Sequence, residues 1–219
     1  MPDVWGEQEH GTVLQLTLPD TDSVSGFQYL HFRSQSNLFH PVPTLVYLHG
    51  AGEFGSDINT VTRYGLPLLI KQSKLQPACD VICPQMEQDK QWDVKRLHLF
   101  LGSLRNAGHE IVLAGYSRGG TGVCHYLANY GSSLSLAVVI SGRGVHEISD
   151  KLDGLEIFSV MGDQDPWPDM NGFLAQAETK GANVADIRLA NRGHYISEEV
   201  FLSGKLPAVL SRYQIILSR

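Results

Sequence analysis

The sequence predicts an α/β fold in which a mostly parallel sheet is covered by helices on both faces. Short apolar runs alternate with amphipathic segments along most of the chain, and this alternation is typical of repeated strand–helix units. Several runs are apolar without interruption, such as "PTLVYLHG" and "LAVVISG", which indicates strands buried on both faces of a sheet. The length of 219 residues and the lack of a long linker favour one domain over residues 1–219.

The chain opens with a predicted antiparallel hairpin. Thr12–Pro19 and Phe27–Ser34 alternate apolar and polar residues, and "DTDSVSG" between them is typical of a turn. Six further strands, making eight in all, are expected at Pro43–Gly50, Cys79–Gln85, Glu110–Ser117, Leu136–Gly142, Glu156–Met161 and Ala185–Asn191. Helices are expected at Ile58–Gln72, Val94–Gly108, Gly119–Gly131, Met170–Ala182 and Phe201–Leu217, with bends or interruptions at Gly65, Pro67 and Pro207.

Composition and charge exclude several classes of function. The sequence is 42% hydrophobic and 18% charged, which indicates a well-buried interior rather than disorder. Its net charge of −6 and the lack of a Lys/Arg cluster argue against nucleic acid or an anionic membrane as a partner. No apolar run approaches the ~18 residues of a membrane span, and the acidic N-terminus does not resemble a signal peptide. We therefore expect a cytoplasmic protein, whose oligomeric state the sequence leaves open.

The spacing of cysteine and histidine predicts no metal site and no cofactor. Cys79 and Cys83 flank a predicted strand that would hold them about 13 Å apart, too far for a disulfide. With Cys124 they are expected to be small buried side chains in a reducing compartment. The sequence contains neither the cysteine spacing of a zinc site nor a His-x-x-x-His pair.

The stretch "YLHGAGEFG" has two interpretations. Gly50, Gly52 and Gly55 spell G-x-G-x-x-G, the outline of a dinucleotide-binding turn. That turn needs an acidic residue about 20 positions later, but Pro67–Cys79 contains none, and "SDIN" places the helix cap beyond the loop, at Ser56 or Asp57. The second interpretation is a loop whose backbone amides stabilise a developing oxyanion, and it is the one we favour.

A candidate nucleophile lies in "VLAGYSRGG". Gly115 to Gly119 forms a G-x-S-x-G motif between a predicted strand and a predicted helix, which is the context of a nucleophile elbow with Ser117 at its tip. The glycines remove side chains that would collide in so tight a turn. The alternative is a glycine-rich turn that carries an incidental serine.

A serine nucleophile needs a base and an acid, which should follow it in the order acid, then histidine. "MGDQDPWP" comes at the end of one predicted strand and "NRGHYI" after the next, so both belong to loops at the C-terminal edge of the sheet. We assign Asp165 as the acid and His194 as the base. Asp163 is the rival acid, because it lies nearer the end of its strand.

These motifs resemble the serine α/β-hydrolase superfamily. "LHGAGEFGSD", "VICPQMEQDKQWD", "LAGYSRGGTG" and "MGDQDPWP" are similar to the phospholipase/carboxylesterase and dienelactone-hydrolase-like esterases, a group that includes predicted peptidases. The resemblance extends from about Thr44 to His194. It implies oxyanion donors at the backbone N–H groups of Ala51, with Gly52, and of Arg118, and it supports Asp165 as the acid.

The sequence departs from this family at positions that bear on the substrate. Arg118 stands where many relatives have Gln or Met, Phe54 where many have Arg, and Trp167 where a small aliphatic residue is common. Dienelactone hydrolases proper use cysteine, so Ser117 argues against that activity. Phe54, Trp92 and Trp167 are candidates to line the substrate site, with core packing as an equally good alternative for each.

The expected function is that of a serine esterase with an open site. Only about a dozen residues, Arg143–Gly154, separate two predicted strands where larger relatives insert a lid, which is too few for a cap domain. An open cleft favours short- to medium-chain carboxylic esters as small-molecule substrates. The alternatives are an acyl-thioesterase or peptidase of the same fold, and a catalytically silent binding module. Arg118 and Arg143 are either surface residues or groups that attract a substrate carboxylate.

Overall fold

A computed structural model describes residues 20–34, 43–87, 91–145, 147–149, 151–166, 170–202 and 205–218. Its main feature is an eight-stranded sheet with the strand order β1-β2-β5-β3-β6-β7-β8-β9. These strands are β1 Asp20–Thr21, β2 Gln28–Phe32, β3 Thr44–Leu48, β5 Val81–Pro84, β6 Ile111–Tyr116, β7 Leu136–Ile140, β8 Glu156–Gly162 and β9 Asn183–Leu189. A separate two-stranded sheet pairs β4 Gln76–Pro77 with β10 Leu217–Ser218.

The sheet is parallel from β5 to β9 and antiparallel at its N-terminal edge, as predicted. β1 pairs with β2 in an antiparallel hairpin, and β2 pairs in the same sense with β5. The first predicted strand, Thr12–Pro19, lies outside the described residues. Because β3, β6, β7, β8 and β9 run in one direction, the loops that follow them emerge at one edge of the sheet.

Helices cover both faces of the sheet. They are α1 Gly65–Lys71, α2 Val94–Asn106, α3 Arg118–Tyr130, α4 Asn171–Thr179, α5 Ser197–Leu202 and α6 Leu206–Arg212, with short 3₁₀ helices at Ala51–Glu53, Ile58–Thr62 and Gly131–Ser133. Side chains alternate along the strands, so that Val46 and Leu48 belong to the apolar cluster that includes α2, α3 and α4, whereas Leu45 and Tyr47 belong to the cluster that includes α1, α5 and α6. The core therefore consists of two layers with the sheet between them.

The predicted helix Ile58–Gln72 is two helices, and only one of its two expected breaks is real. The 3₁₀ helix ends at Thr62, and α1 begins at Gly65, whose φ of +66° favours glycine. Pro67 does not interrupt α1, because it lies in the first turn, where its missing N–H removes no intrahelical hydrogen bond.

The predicted C-terminal helix, Phe201–Leu217, is wrong at its end. Within the described residues, α5 ends at Leu202 and α6 runs from Leu206 to Arg212 with Pro207 in its first turn. The chain then turns, and β10 pairs with β4 at Leu217 and Pro77. This contact joins segments that are 140 residues apart in the sequence, so no local pattern predicts it.

The central strands and all three cysteines are buried. The described part of the segment between β7 and β8 contains neither helix nor strand, so no cap domain covers the sheet edge there. None of the helices in the described chain has both the length and the hydropathy needed to cross a bilayer.

Candidate active site

Ser117 lies on a sharp turn between β6 and α3. Its φ is +54° and its ψ is −114°, a conformation that residues with a side chain seldom adopt. The two flanking glycines make the turn possible. A Cβ atom on Gly115 would lie 2.4 Å from the Gly119 carbonyl, and one on Gly119 would lie 1.9 Å from the carbonyl oxygen of Leu48. The glycine spacing read from the sequence therefore corresponds to close backbone packing between β3, β6 and α3.

His194 joins Ser117 and Asp165. Its Nδ1 lies 2.7 Å from Asp165 Oδ2, and its Nε2 lies 2.8 Å from Ser117 Oγ. If Nδ1–H donates to the carboxylate, Nε2 is left to accept from the serine hydroxyl. The Asp165 side chain is fully buried and that of His194 is 18% exposed. The three residues thus form one hydrogen-bonded chain, open to solvent at the serine end.

The loop that carries Asp165 and the loop that carries His194 are joined by backbone hydrogen bonds and close packing. Gln164 N–H donates to the Arg192 carbonyl at 2.9 Å, and a Cβ on Gly162 would lie 2.0 Å from the same oxygen. Asp163, the rival acid, is exposed and its amide donates to Leu189. The structure therefore brings Asp165, and not Asp163, against the imidazole.

Two hydroxyl groups hold the backbone of His194. The Tyr116 hydroxyl and the Ser141 hydroxyl each donate to the His194 carbonyl at 3.2 Å. Neither residue was predicted from the sequence. The signal available was position alone, because Tyr116 is the second residue of the G-x-S-x-G motif and Ser141 directly follows β7.

The glycine-rich loop lies beside the serine. A Cβ on Gly50 would be 3.5 Å from Ser117 Cβ, and the next residues form the 3₁₀ turn Ala51–Glu53. The helix that follows is capped by Asp57, whose side chain accepts from Asn59 N–H at 3.0 Å. Gly50, Gly52 and Gly55 therefore lie before, in and after a short turn beside Ser117. They do not open a long helix, which a dinucleotide-binding turn requires.

His49 fastens this loop to the neighbouring strand. Its Nε2 accepts from Met86 N–H at 3.0 Å, so its Nδ1–H donates to the Gly50 carbonyl at 2.7 Å. Burial lowers the pKa of His49 to about 4. At neutral pH the ring is therefore uncharged and can make both bonds.

The predicted oxyanion donors belong to two segments near Ser117, the glycine-rich turn and the start of α3. Ala51 and Gly52 are exposed in the turn next to Ser117, and Arg118 is the first residue of α3. A first-turn N–H of a helix has no acceptor within its own helix, and the positive end of the helix dipole lies there. Amides so placed can stabilise a negative oxygen that forms beside Ser117.

The three candidate lining residues differ in their surroundings. Trp92 is buried in the core, where it packs on Phe27 and donates from Nε1 to the His49 carbonyl at 3.4 Å, and these contacts favour the core-packing alternative. Phe54 is half-buried, and the Arg118 guanidinium lies 5.2 Å from its ring centroid. Trp167 lies outside the described residues.

The overall architecture matches solved structures closely enough to decide the fold. A thermostable esterase gives a TM-score of 0.62 at 18% identity over 80% of this chain, which spans about half (55%) of that protein. A carboxylesterase from Bacillus cereus gives 0.58 at 19% identity over 86% of this chain and 92% of its own. A phospholipase/carboxylesterase from Dyadobacter fermentans gives 0.62 at 14% identity over 88% and 98%.

The chain has the α/β-hydrolase fold. No model of a protein family matches the sequence, and no curated protein matches it either. At such low identities the likeness is one of fold. What an α/β-hydrolase chain does depends on the side chains at the edge of its sheet.

Proposed function

We propose that the protein is a serine hydrolase that cleaves short- to medium-chain carboxylic esters through an acyl-enzyme intermediate. The observation that carries the proposal is the chain of hydrogen bonds from Asp165 through His194 to Ser117, with distances of 2.7 and 2.8 Å. A serine held on a strained turn, bonded to an imidazole that is itself oriented by a carboxylate, is the arrangement that activates a hydroxyl for attack on a carbonyl.

The reaction has two halves. His194 Nε2 takes the proton of Ser117 as Oγ attacks the ester carbonyl, and the amides of Ala51, Gly52 and Arg118 hold the oxyanion. Asp165 keeps the imidazole in the required tautomer and stabilises its charged form. His194 then gives the proton to the leaving alcohol, and a water molecule activated by the same imidazole releases the acid from Ser117.

The open edge of the sheet supports the choice of substrate. No cap domain lies between β7 and β8 in the described residues, so nothing in that part encloses a long acyl chain. The named esterases and carboxylesterases of the same fold favour an ester over other acyl substrates. Small esters in the cytoplasm are the substrates we expect.

Hydrolysis of 4-nitrophenyl butyrate tests the proposal. We expect Ser117→Ala to abolish turnover and also covalent labelling by a fluorophosphonate probe. The matched control is Ser103→Ala, because the Ser103 hydroxyl donates within α2 to the Leu99 carbonyl. Wild-type rates in Ser117→Ala would contradict the assignment. A panel of esters from acetate to dodecanoate, with matched thioesters and peptides, defines the acyl length and the bond cleaved.

A further inference from the structure

Glu53 is a buried carboxyl group in the turn beside Ser117. It ends the 3₁₀ turn Ala51–Glu53, and only 1% of its surface is exposed. Its Oε2 accepts from Gly50 N–H at 2.9 Å. A bond of this kind, from a third-position glutamate back to the residue before the turn, is one half of a capping box. The mechanism above makes no use of this carboxyl.

The polypeptide fixes the turn from two further sides. The Thr60 hydroxyl and the Gln85 amide donate to the Glu53 backbone carbonyl at 2.9 and 3.2 Å. On the other side Arg63 donates to the Gly52 carbonyl at 3.4 Å. The Glu53 side chain therefore makes one of several hydrogen bonds that hold the turn. Its bond is to Gly50, the residue of the loop that lies beside Ser117.

A second carboxyl group connects this region to the helix after the histidine. Glu198, in α5, accepts from Gly65 N–H at 2.6 Å, and the Ser197 hydroxyl donates to it at 2.9 Å. Gly65 follows Arg63, which donates to the Gly52 carbonyl, and Tyr64, whose ring would lie 3.2 Å from a Cβ on Gly52. The Glu198 carboxyl therefore joins the segment that follows His194 to the start of α1, directly after the two residues that flank Gly52.

The surroundings of Glu53 favour its neutral form. Burial raises its pKa to about 8, and the charge of Glu198 adds to the shift, while the amides of Gly50 and Tyr64 oppose it. The titratable groups that act on Glu53 or feel its charge come from several elements: Tyr47 in β3, Cys83 in β5, Tyr116 in β6, Arg63 after the 3₁₀ helix, and Glu198 in α5. At neutral pH the carboxyl accepts from Gly50 without a full negative charge.

We propose that Glu53 is a positioning residue for ester hydrolysis: its carboxyl holds Gly50 and so aims the following amides at the oxyanion. The proposal rests on the function proposed above. Oxyanion donors work because they are oriented before the charge develops, and a displacement of about 1 Å can cost about 10²-fold in rate. An ionised Glu53 would still hold Gly50, but its charge would oppose the oxyanion.

Three variants separate positioning from general stability. Glu53→Met keeps the length of the side chain and removes the acceptor, Glu53→Gln keeps an acceptor oxygen that cannot ionise, and Thr60→Val removes the hydroxyl that donates to the Glu53 carbonyl. We expect Glu53→Met to lower kcat about 10²-fold with little change in KM. Glu53→Gln should recover most of that loss. Thr60→Val leaves the bond between Glu53 and Gly50 in place, so it should lower the melting temperature and reduce kcat much less than Glu53→Met does.

The pH profile adds a readout that a purely structural role would not move. We expect kcat of the wild type to fall as pH rises through about 8, and Glu53→Gln to lack this fall. Equal losses of kcat in Glu53→Met and Thr60→Val, or parallel profiles in wild type and Glu53→Gln, would overturn the proposal. If Glu53→Met does not fold, the pH profiles of the wild type and of Glu53→Gln alone decide whether Glu53 has this role.

A measurement without substrate keeps the two proposals apart. The amide resonance of Gly50, in protein labelled with ¹⁵N-glycine, should shift with the titration of Glu53 in the wild type and stay constant in Glu53→Gln. If the wild type neither hydrolyses esters nor reacts with a fluorophosphonate, the proposed function is refuted, but the contact between Glu53 and Gly50 is not. A Gly50 resonance that does not titrate would refute the role of Glu53 even in an active enzyme.

Discussion

The buried carboxyl of Glu53 should make the protein less stable as the pH rises above neutrality. Burial raises its pKa from 4.5 to about 8 in the folded state. Between these values the folded chain retains a proton that the unfolded chain has released. The free energy of unfolding must then decrease with increasing pH, and the decrease ends once the pH exceeds the folded pKa. An ordinary ion-paired carboxylate, whose folded pKa is depressed, has the opposite effect.

The range from pH 6.5 to 8.5 isolates this effect. Below pH 6.5, His49 works in the other direction, because burial lowers its pKa from 6.5 to about 4 and stability is gained as the pH rises through that range. Above pH 6.5 the Glu53 contribution still extends over about 1.5 pH units, to its pKa of about 8. At about 1.36 kcal/mol per unit, the loss is about 2 kcal/mol. The nearly complete burial of Glu53 leaves little solvent screening to reduce it.

Urea unfolding of the wild type and of Glu53→Gln at pH 6.5 and 8.5 measures this difference. The variant contains every other titrating group, including the three buried cysteines, so their contributions cancel in the comparison. We expect the wild type to lose about 2 kcal/mol more than Glu53→Gln over this range. Equal losses in the two proteins would show that Glu53 is already ionised at pH 6.5 and that burial does not raise its pKa to about 8.

Three further pairs of variants test the geometry of the site. Ser117→Gly should be more stable in urea than Ser117→Ala by about 1 kcal/mol, because a side chain at positive φ is strained, and equal stabilities would contradict that strain. Gly119→Ala should lower the melting temperature sharply, because its Cβ would clash with the Leu48 carbonyl. Gly172→Ala, in open space on α4, should raise the melting temperature slightly. Similar changes of melting temperature in the two variants would show that Gly119 is not closely packed. Asp165→Asn should lower kcat by about 10⁴-fold and Asp163→Asn should leave it near wild type, and the reverse order would make Asp163 the acid.

Much of the fold follows from patterns that are local in the sequence. The strands β3, β6 and β7 are buried on both faces, and each is a continuous apolar run that only a central strand of a parallel sheet needs. The helices α2 and α3 end beside Gly108 and Gly131, as glycine at a helix terminus predicts. Burial and capping leave their signature within a few residues, so they can be recognised without the rest of the chain.

The candidate site was predictable where backbone geometry restricts the residue type. Glycine at 115 and 119 is required by contacts closer than a Cβ allows, so the motif itself encodes the turn that carries Ser117. The choice of Asp165 over Asp163 was supported by the resemblance to the serine α/β-hydrolases. The hydrogen bond that the Asp165 carboxylate accepts from His194 is a contact that no spacing rule supplies.

What the sequence did not predict depends on contacts between distant segments. Leu217 is compatible with a helix or a strand by its own pattern, and its pairing with Pro77 selects the strand. Trp92 is equally compatible with a cleft or a core position by its own pattern, and its contacts with His49 and Phe27 place it in the core. In each case the decisive partner lies far along the chain, where periodicity carries no information.

Glu53 shows how a residue with an unremarkable pattern can matter to the site. A glutamate in a glycine-rich turn is normally solvated, and nothing in "HGAGEFG" indicates burial. It is buried because Gln85, after β5, and Thr60, in the next helix, close over its backbone, while its carboxyl turns inward to Gly50. A solvated glutamate would leave the Gly50 amide without this acceptor and the turn with one bond fewer beside Ser117. The same burial that raises the pKa of Glu53 therefore also provides the contact through which it would orient the oxyanion donors.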